Sequence, residues 1–115
     1  MFKGIVIHGD KIGRTYGYPT ANLDIALKAT KCKPGIYAAH ATLKKKIYKA
    51  ALIINTIEKK VEAHLFEYKG PEFYGAELIV DPIQKVSELE EYDNHKDLQE
   101  KIDADIALVK KVLKL

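Results

Sequence analysis

The hydrophobic period of the chain changes once, near residue 94, and that change narrows the folds open to it. From Asn94 onward, Leu98, Ile102, Ile106, Val109 and Leu113 follow one another by four, four, three and four residues, which is one stripe of an amphipathic helix. Asn94 with Asp97 three residues later forms a capping box with the shorter acid in place of Glu. Everything before this point reads as short β-rich runs. "FKGIVIHGD" predicts a strand over about residues 3–8 that ends at a Gly-Asp turn. In "PGIYAAHATLKKKIYKAALIINT" the runs 36–43 and 47–54 flank lysines 44 to 46, which predicts a hairpin with the lysines at its tip. In "VEAHLFEY" Val61, Ala63 and Leu65 alternate with Glu62, His64 and Phe66, and the first set is assigned to the core. A further strand is expected near 76–80, with Pro82 marking its end. Five or six strands, one terminal helix, no βαβ rhythm and no internal repeat predict a small all-β antiparallel barrel whose open side the helix covers. A doubly wound nucleotide fold is disfavoured.

One domain over residues 1–115 is expected, because a chain of this length buries one modest core without metals or disulfides. Hydrophobic residues make up 47% and charged residues 30%, a globular balance that argues against disorder. The net charge of +3 is small and evenly spread, so it does not indicate a nucleic-acid binder and suits an anionic small ligand equally well. Cys32 has no second cysteine with which to form a disulfide or a zinc knuckle, which points to a reducing compartment, by default the cytoplasm. The apolar run in "MFKGIVIHGD" is too short for a signal peptide or a membrane span.

The segment "GRTYGYPTANLDI" concentrates backbone-specialist and hydrogen-bonding residues. Gly9, Gly13 and Gly17 are spaced by four, which gives the backbone several places to take positive φ or approach a ligand closely. The spacing fits a long hairpin loop. It also fits an irregular phosphate-holding nest with Lys11 or Arg14 adding charge, although neither the Walker A pattern nor Gly-x-Gly-x-x-Gly occurs. In "PTAN", Thr20 and Asn22 project to the same side of an extended chain, so a hydroxyl and a carboxamide converge on one point. Such neutral oxygens suit a magnesium ion already carrying phosphate oxygens and water. They equally suit a turn after Pro19 with local side-chain to backbone bonds.

In its order of motifs, "GIVIHGDKIGRTYGYPTANLDI" resembles the amino-terminal signature of ATP-dependent riboflavin kinases. There Gly-x-Val-x-x-Gly, Gly-Arg and Gly-[Phe/Tyr]-Pro-Thr-Ala-Asn-Leu follow in turn. The likeness continues through "PGIYAA", "VEAHLFEY", "EFYGAELIV" and "LQEKIDADI", so it spans nearly the whole chain. It implies a closed six-stranded antiparallel Greek-key barrel with a C-terminal helix, and transfer of the γ-phosphoryl group of MgATP to the ribityl 5′-hydroxyl of riboflavin, giving FMN and ADP. By position it implies that Thr20 and Asn22 hold magnesium and the nucleotide phosphates. It implies that the loop carrying Gly9, Lys11, Gly13, Arg14, Gly17 and Pro19 covers those phosphates, and that Glu62 is the catalytic base. Of the aromatic residues most are assigned to core or rim packing, with Tyr74 and Tyr92 the candidates for the flavin ring. His64 shares the face of Glu62 and could form a Glu-x-His metal pair, but with no third ligand evident it is assigned as a structural or hydrogen-bonding histidine, and His8, His40 and His95 receive no role.

The resemblance has departures. Between "ALIINT" and "VEAH" only "IEKK" remains of a longer family loop, and Ser87 or Gln84 falls where the family carries an arginine before the helix. No adenylyltransferase domain precedes the barrel, so FMN but not FAD is the expected product. The partners expected are riboflavin, FMN, ATP and ADP, with no nucleic acid and no membrane, and a monomer. The competing readings are a flavin- or nucleotide-binding barrel without turnover, and an oligonucleotide-binding barrel, which the near-neutral charge disfavours. Retention of Thr20, Asn22 and Glu62 together favours the enzyme.

Overall fold

Alternation with a period of two builds six strands, and the change of period builds one long helix. The structure is a computed structural model that describes residues 1–8 and 17–115. The strands are β1 (Phe2–Ile7), β2 (Ala21–Asp24), β3 (Gly35–Leu43), β4 (Lys46–Asn55), β5 (Lys60–Leu65) and β6 (Glu77–Ser87). A single helical turn, α1 (Leu27–Thr30), follows β2, and α2 (His95–Leu113) ends the chain. All pairings are antiparallel, and the strands close into a barrel in the order β1-β2-β5-β4-β3-β6. The barrel is closed, as expected, and the helix packs against its outer face.

The hairpin tip is shorter than expected. Leu43 pairs with Lys46, and Lys44 and Lys45 take φ of 49° and 70°, the left-handed pair that a two-residue turn needs to match strand twist. β6 corrects the expectation that Pro82 ends the strand, because it continues to Ser87 with Pro82 opposite Ala39. Proline is tolerated here because β1 pairs only with Glu77 to Val80, so from residue 81 onward β6 has β3 alone as neighbour. The register also shifts between Ala38 and Ala39, which lets the ladder skip a residue.

Two apolar layers result. Inside the barrel lie Val6, Leu23, Leu52, Ile54, Val61 and Leu65, with Leu78 and Val80 fully buried. Outside it, the stripe of α2 packs Ile106, Val109 and Leu113 onto Ile36, Ala38, Ala51 and Phe66. β3 and β4 are therefore covered on both faces, which is why they read as nearly continuous apolar runs. Ala38 and Ala51 are small enough for the helix backbone to come close. Asn94 caps the helix as expected, its Oδ1 accepting from the Asp97 N–H at 2.9 Å, while Asp97 Oδ2 accepts at 2.9 Å from the Asn94 side-chain Nδ2 instead of the backbone N–H that a capping box uses.

Candidate active site

The register of β2 and β5 assembles the centre of the site. Ala21 pairs with Ala63 and Asn22 with Glu62. Leu23, Val61 and Ala63 face the barrel interior, so Asn22 and Glu62 point outward on the same face. The pairing extends this outward row across the sheet as Ile7, Asn22, Glu62, Ile53, Ile36 and Ser87. Just before β2, Thr20 Oγ1 donates to Glu62 Oε2 at 2.8 Å. The hydroxyl, the carboxamide and the carboxylate singled out in the sequence are thus brought together, Asn22 opposite Glu62 and Thr20 bonded to it. All three offer oxygen donors. Thr20 keeps its acceptor lone pairs while donating, so the set has the chemistry of a hard-cation site such as one for Mg²⁺.

His64, two residues beyond Glu62, holds the turn that presents Thr20. Its Nδ1 lies 2.7 Å from the Pro19 carbonyl oxygen, and since a carbonyl only accepts, Nδ1 carries the proton. The ring meets Tyr18 and Phe66 edge-on. Burial pushes the His64 pKa below its ordinary value and Lys110 lowers it further, against the opposing pull of the Pro19 bond. Gly17 begins the same segment with φ of 87°, a left-handed conformation that glycine takes without strain. Tyr18 then reaches across to α2, where its hydroxyl donates to Asp103 Oδ1 at 2.9 Å. That bond, with burial, raises the tyrosine pKa.

Two cavities flank this centre. The larger, of about 330 Å³, lies between the outward row and α2. Ile36 and Ile53 of the barrel and Leu89, Ile102 and Ile106 on the helix side give it apolar walls, with Glu62 and Tyr92 also lining it. The smaller, of about 220 Å³, is lined by Pro19, Tyr68, Pro71, Phe73 and Tyr74. Thr20 and His64 line both. The two tyrosines expected at a flavin therefore part company: Tyr92 lines the larger cavity, whereas Tyr74 lines the smaller one and stacks on His8 with ring centroids 3.6 Å apart. Gly9, Lys11, Gly13 and Arg14 lie outside the described residues.

The departures from the family pattern look different in three dimensions. The short connection between β4 and β5 still reaches the larger cavity through Ile57 and Glu58. It is shaped by Asn55, whose Oδ1 accepts from the N–H groups of Ile57 and Glu58 at 3.1 and 2.9 Å. A cation does stand against Ser87, supplied by the helix. Lys101 Nζ donates to Ser87 Oγ at 2.6 Å, to the Glu88 carbonyl at 2.9 Å and to Asp105 Oδ2 at 2.6 Å. Sequence reasoning assigned nothing to Tyr18, Lys101 or Asp105, and His64 has the hydrogen-bonding role expected of it. His64 was signalled by its period-two relation to Glu62, and Lys101 with Asp105 by their four-residue spacing beside the helix stripe.

The structure is thus a closed six-stranded barrel that carries an oxygen-donor cluster beside two cavities, one walled largely by aliphatic residues and one by aromatic residues. The Flavokinase model, described as riboflavin kinase, matches residues 1–113, and the chain belongs to the riboflavin kinase family. It is 33% identical over 114 residues to the bifunctional riboflavin kinase/FMN adenylyltransferase of Bacillus subtilis (strain 168), covering 91% of this chain and 36% of that protein. It is 28% identical over 122 residues to the RNA-binding riboflavin kinase RibR of the same organism, covering 100% of this chain and 52% of that one. The structure of riboflavin kinase from Trypanosoma brucei superposes with a TM-score of 0.72 at 20% identity, over 97% of this chain and 75% of that one, and so shares the fold. The chain thus spans about a third to a half of the length of the two sequence relatives. Among the described residues no helix is long and apolar enough to cross a membrane.

Proposed function

We propose that this chain phosphorylates riboflavin at its ribityl 5′-hydroxyl with MgATP, releasing FMN and ADP. One observation carries the reading beyond family membership: Thr20, bonded to Glu62, lines both cavities, and Glu62 lines the larger. A phosphoryl transfer between two bound substrates needs such a junction, with an acceptor site on one side and a donor site on the other. The larger, aliphatic cavity suits the flat isoalloxazine ring, and its volume falls in the range of ligand sites. The smaller cavity, with Phe73 and the Tyr74–His8 stack, suits the adenine base.

The roles follow from this placement. Glu62 orients the 5′-hydroxyl and takes its proton as the new O–P bond forms, while the bond from the γ-phosphorus to the bridging oxygen breaks and its electron pair leaves with ADP. Thr20, by donating to Glu62, aims the carboxylate at the acceptor. His64 keeps Thr20 in position through the Pro19 carbonyl. Thr20 and Asn22 would hold Mg²⁺, which when bound neutralises phosphate charge. Gly9, Lys11, Gly13, Arg14, Gly17 and Pro19 keep the phosphate-covering role that the resemblance implies, Tyr92 borders the flavin, and Tyr74 moves to the nucleotide side. The chain acts as one kinase domain over residues 1–115, as a monomer, in the cytoplasm and without nucleic acid. The lone cysteine and near-neutral charge support the last two points.

The deciding experiment is chromatographic detection of FMN from riboflavin and MgATP, with Glu62→Gln alongside. FMN formed by the natural sequence and lost in the variant supports kinase and base together. Flavin or MgADP binding without any FMN indicates a binding barrel instead.

A further inference from the structure

Of the carboxylates that line the larger cavity and that the phosphoryl transfer does not use, one is buried. Asp105 lies on the barrel-facing side of α2, is 7% exposed and lines the cavity beside Ile102 and Ile106. The other acids at this cavity outside the proposed mechanism are of a different kind: Glu58 pairs with Lys60 at 3.2 Å and is half exposed, Glu90 accepts from the Tyr92 hydroxyl at the surface, and Glu91 is exposed. Among the described residues the only hydrogen-bond donor to Asp105 is Lys101, which takes Oδ2. Lys101 is itself committed. An ammonium has three N–H donors, and here they go to Ser87, Glu88 and Asp105, so none is left for a ligand. The side chain instead ties the end of β6, the start of the segment before α2 and the helix into one knot. A carboxylate fixed in this way leaves its second oxygen open to the cavity, and a ligand that fills the cavity either donates to that oxygen or strips it of water without return.

We propose that Asp105 is a specificity-determining residue of the larger cavity: its Oδ1 accepts a hydrogen bond from a ring N–H of the ligand, and Lys101 is the positioning residue that holds it there. The inference rests on the flavin reading of this cavity. Oxidised riboflavin carries a single ring N–H, the imide between its two carbonyl groups, so the chemistry to be read is unambiguous. A buried acceptor in an apolar pocket discriminates strongly against a ligand that lacks the matching donor, because the acceptor is then desolvated and unpaired.

The test compares binding of riboflavin and of 3-methylriboflavin, which carries a methyl group in place of that N–H, by fluorescence titration. The natural sequence is expected to bind riboflavin about ten- to a hundredfold more tightly than the methylated flavin, the scale of a hydrogen bond to a charged group. Asp105→Asn, whose carboxamide oxygen can keep Lys101 while its NH₂ faces the ligand, should lose that preference. If the preference survives in Asp105→Asn, the methyl group acts by size alone and the proposal is overturned. Lys101 offers a second route that does not require changing Asp105: Lys101→Met should lower the preference and Lys101→Arg should restore it, a ratio that a general loss of stability does not move. Equal binding of the two flavins by the natural sequence overturns the proposal and leaves the flavin reading standing. Binding of neither flavin overturns both.

Discussion

Asn22 and Glu62 stand directly opposite each other in the register of β2 and β5, both turned away from the barrel core. Forty residues of sequence separate them, and one ladder step joins them. A shift of β2 by a single residue would turn Asn22 into the interior and bring Ala21 or Leu23 beside Glu62. The site therefore depends on the same register that packs Leu23 and Val61 in the core, and its geometry is as well fixed as the core itself.

Glu62→Gln removes the proposed proton acceptor and keeps the shape. Turnover of riboflavin should fall by about two to four powers of ten, the contribution of a positioned general base, with KM for both substrates changed little. Steady-state FMN formation measures both, and a fully active variant would take Glu62 out of the mechanism.

Asn22→Ala removes one oxygen donor from the expected metal site. MgADP affinity should drop by about tenfold or more by titration calorimetry, as for loss of a bond to a charged group. The difference between variant and natural sequence should vanish when metal is removed with EDTA. Unchanged MgADP affinity contradicts the assignment.

His64 gives the fold a pH dependence with a definite sign. Its folded pKa lies below the ordinary value of 6.5, chiefly because burial disfavours the charged ring. The unfolded chain then binds more protons in the window from about 6.5 down to the folded pKa, so the stability His64 contributes is complete above that window and is lost as the pH falls through it. Urea midpoints measured between pH 7.5 and 5.5 should fall, and His64→Asn should flatten the trend. An identical slope in the variant would place the pH dependence elsewhere.

Asn94→Ala should destabilise the protein by about 1 kcal/mol, because the side chain caps the Asp97 N–H at the start of α2. Since α2 forms one wall of the larger cavity, thermal unfolding with and without riboflavin shows whether the loss reaches the site. A cap that only frays the first turn leaves the riboflavin-induced stabilisation unchanged.

The strands, the helix and its cap were legible because each is written in local chain geometry. Alternation assigned Val61, Ala63 and Leu65 to one face and Glu62 and His64 to the other, and the sheet keeps both assignments. Pro82 was misleading, since a missing N–H ends a strand only where a neighbour needs it, and the strand order decides that. Thr20 and Glu62 were picked out singly, by residue type and by resemblance, but nothing local says that they touch.

What the sequence determined by itself is periodicity: which residues alternate, where the period changes from two to near four, and which side chains can cap a helix. These are properties of neighbouring residues and need no knowledge of the rest of the chain. The tertiary structure decided the closure of the barrel, the placing of Thr20 in the lining of both cavities, and the contacts of Tyr18 with Asp103 and of Lys101 with Ser87, which lie 85 and 14 residues apart. Such pairs form only when strand order and register bring distant segments together. The packing of two apolar layers at once makes that choice, and no stretch of sequence carries it alone.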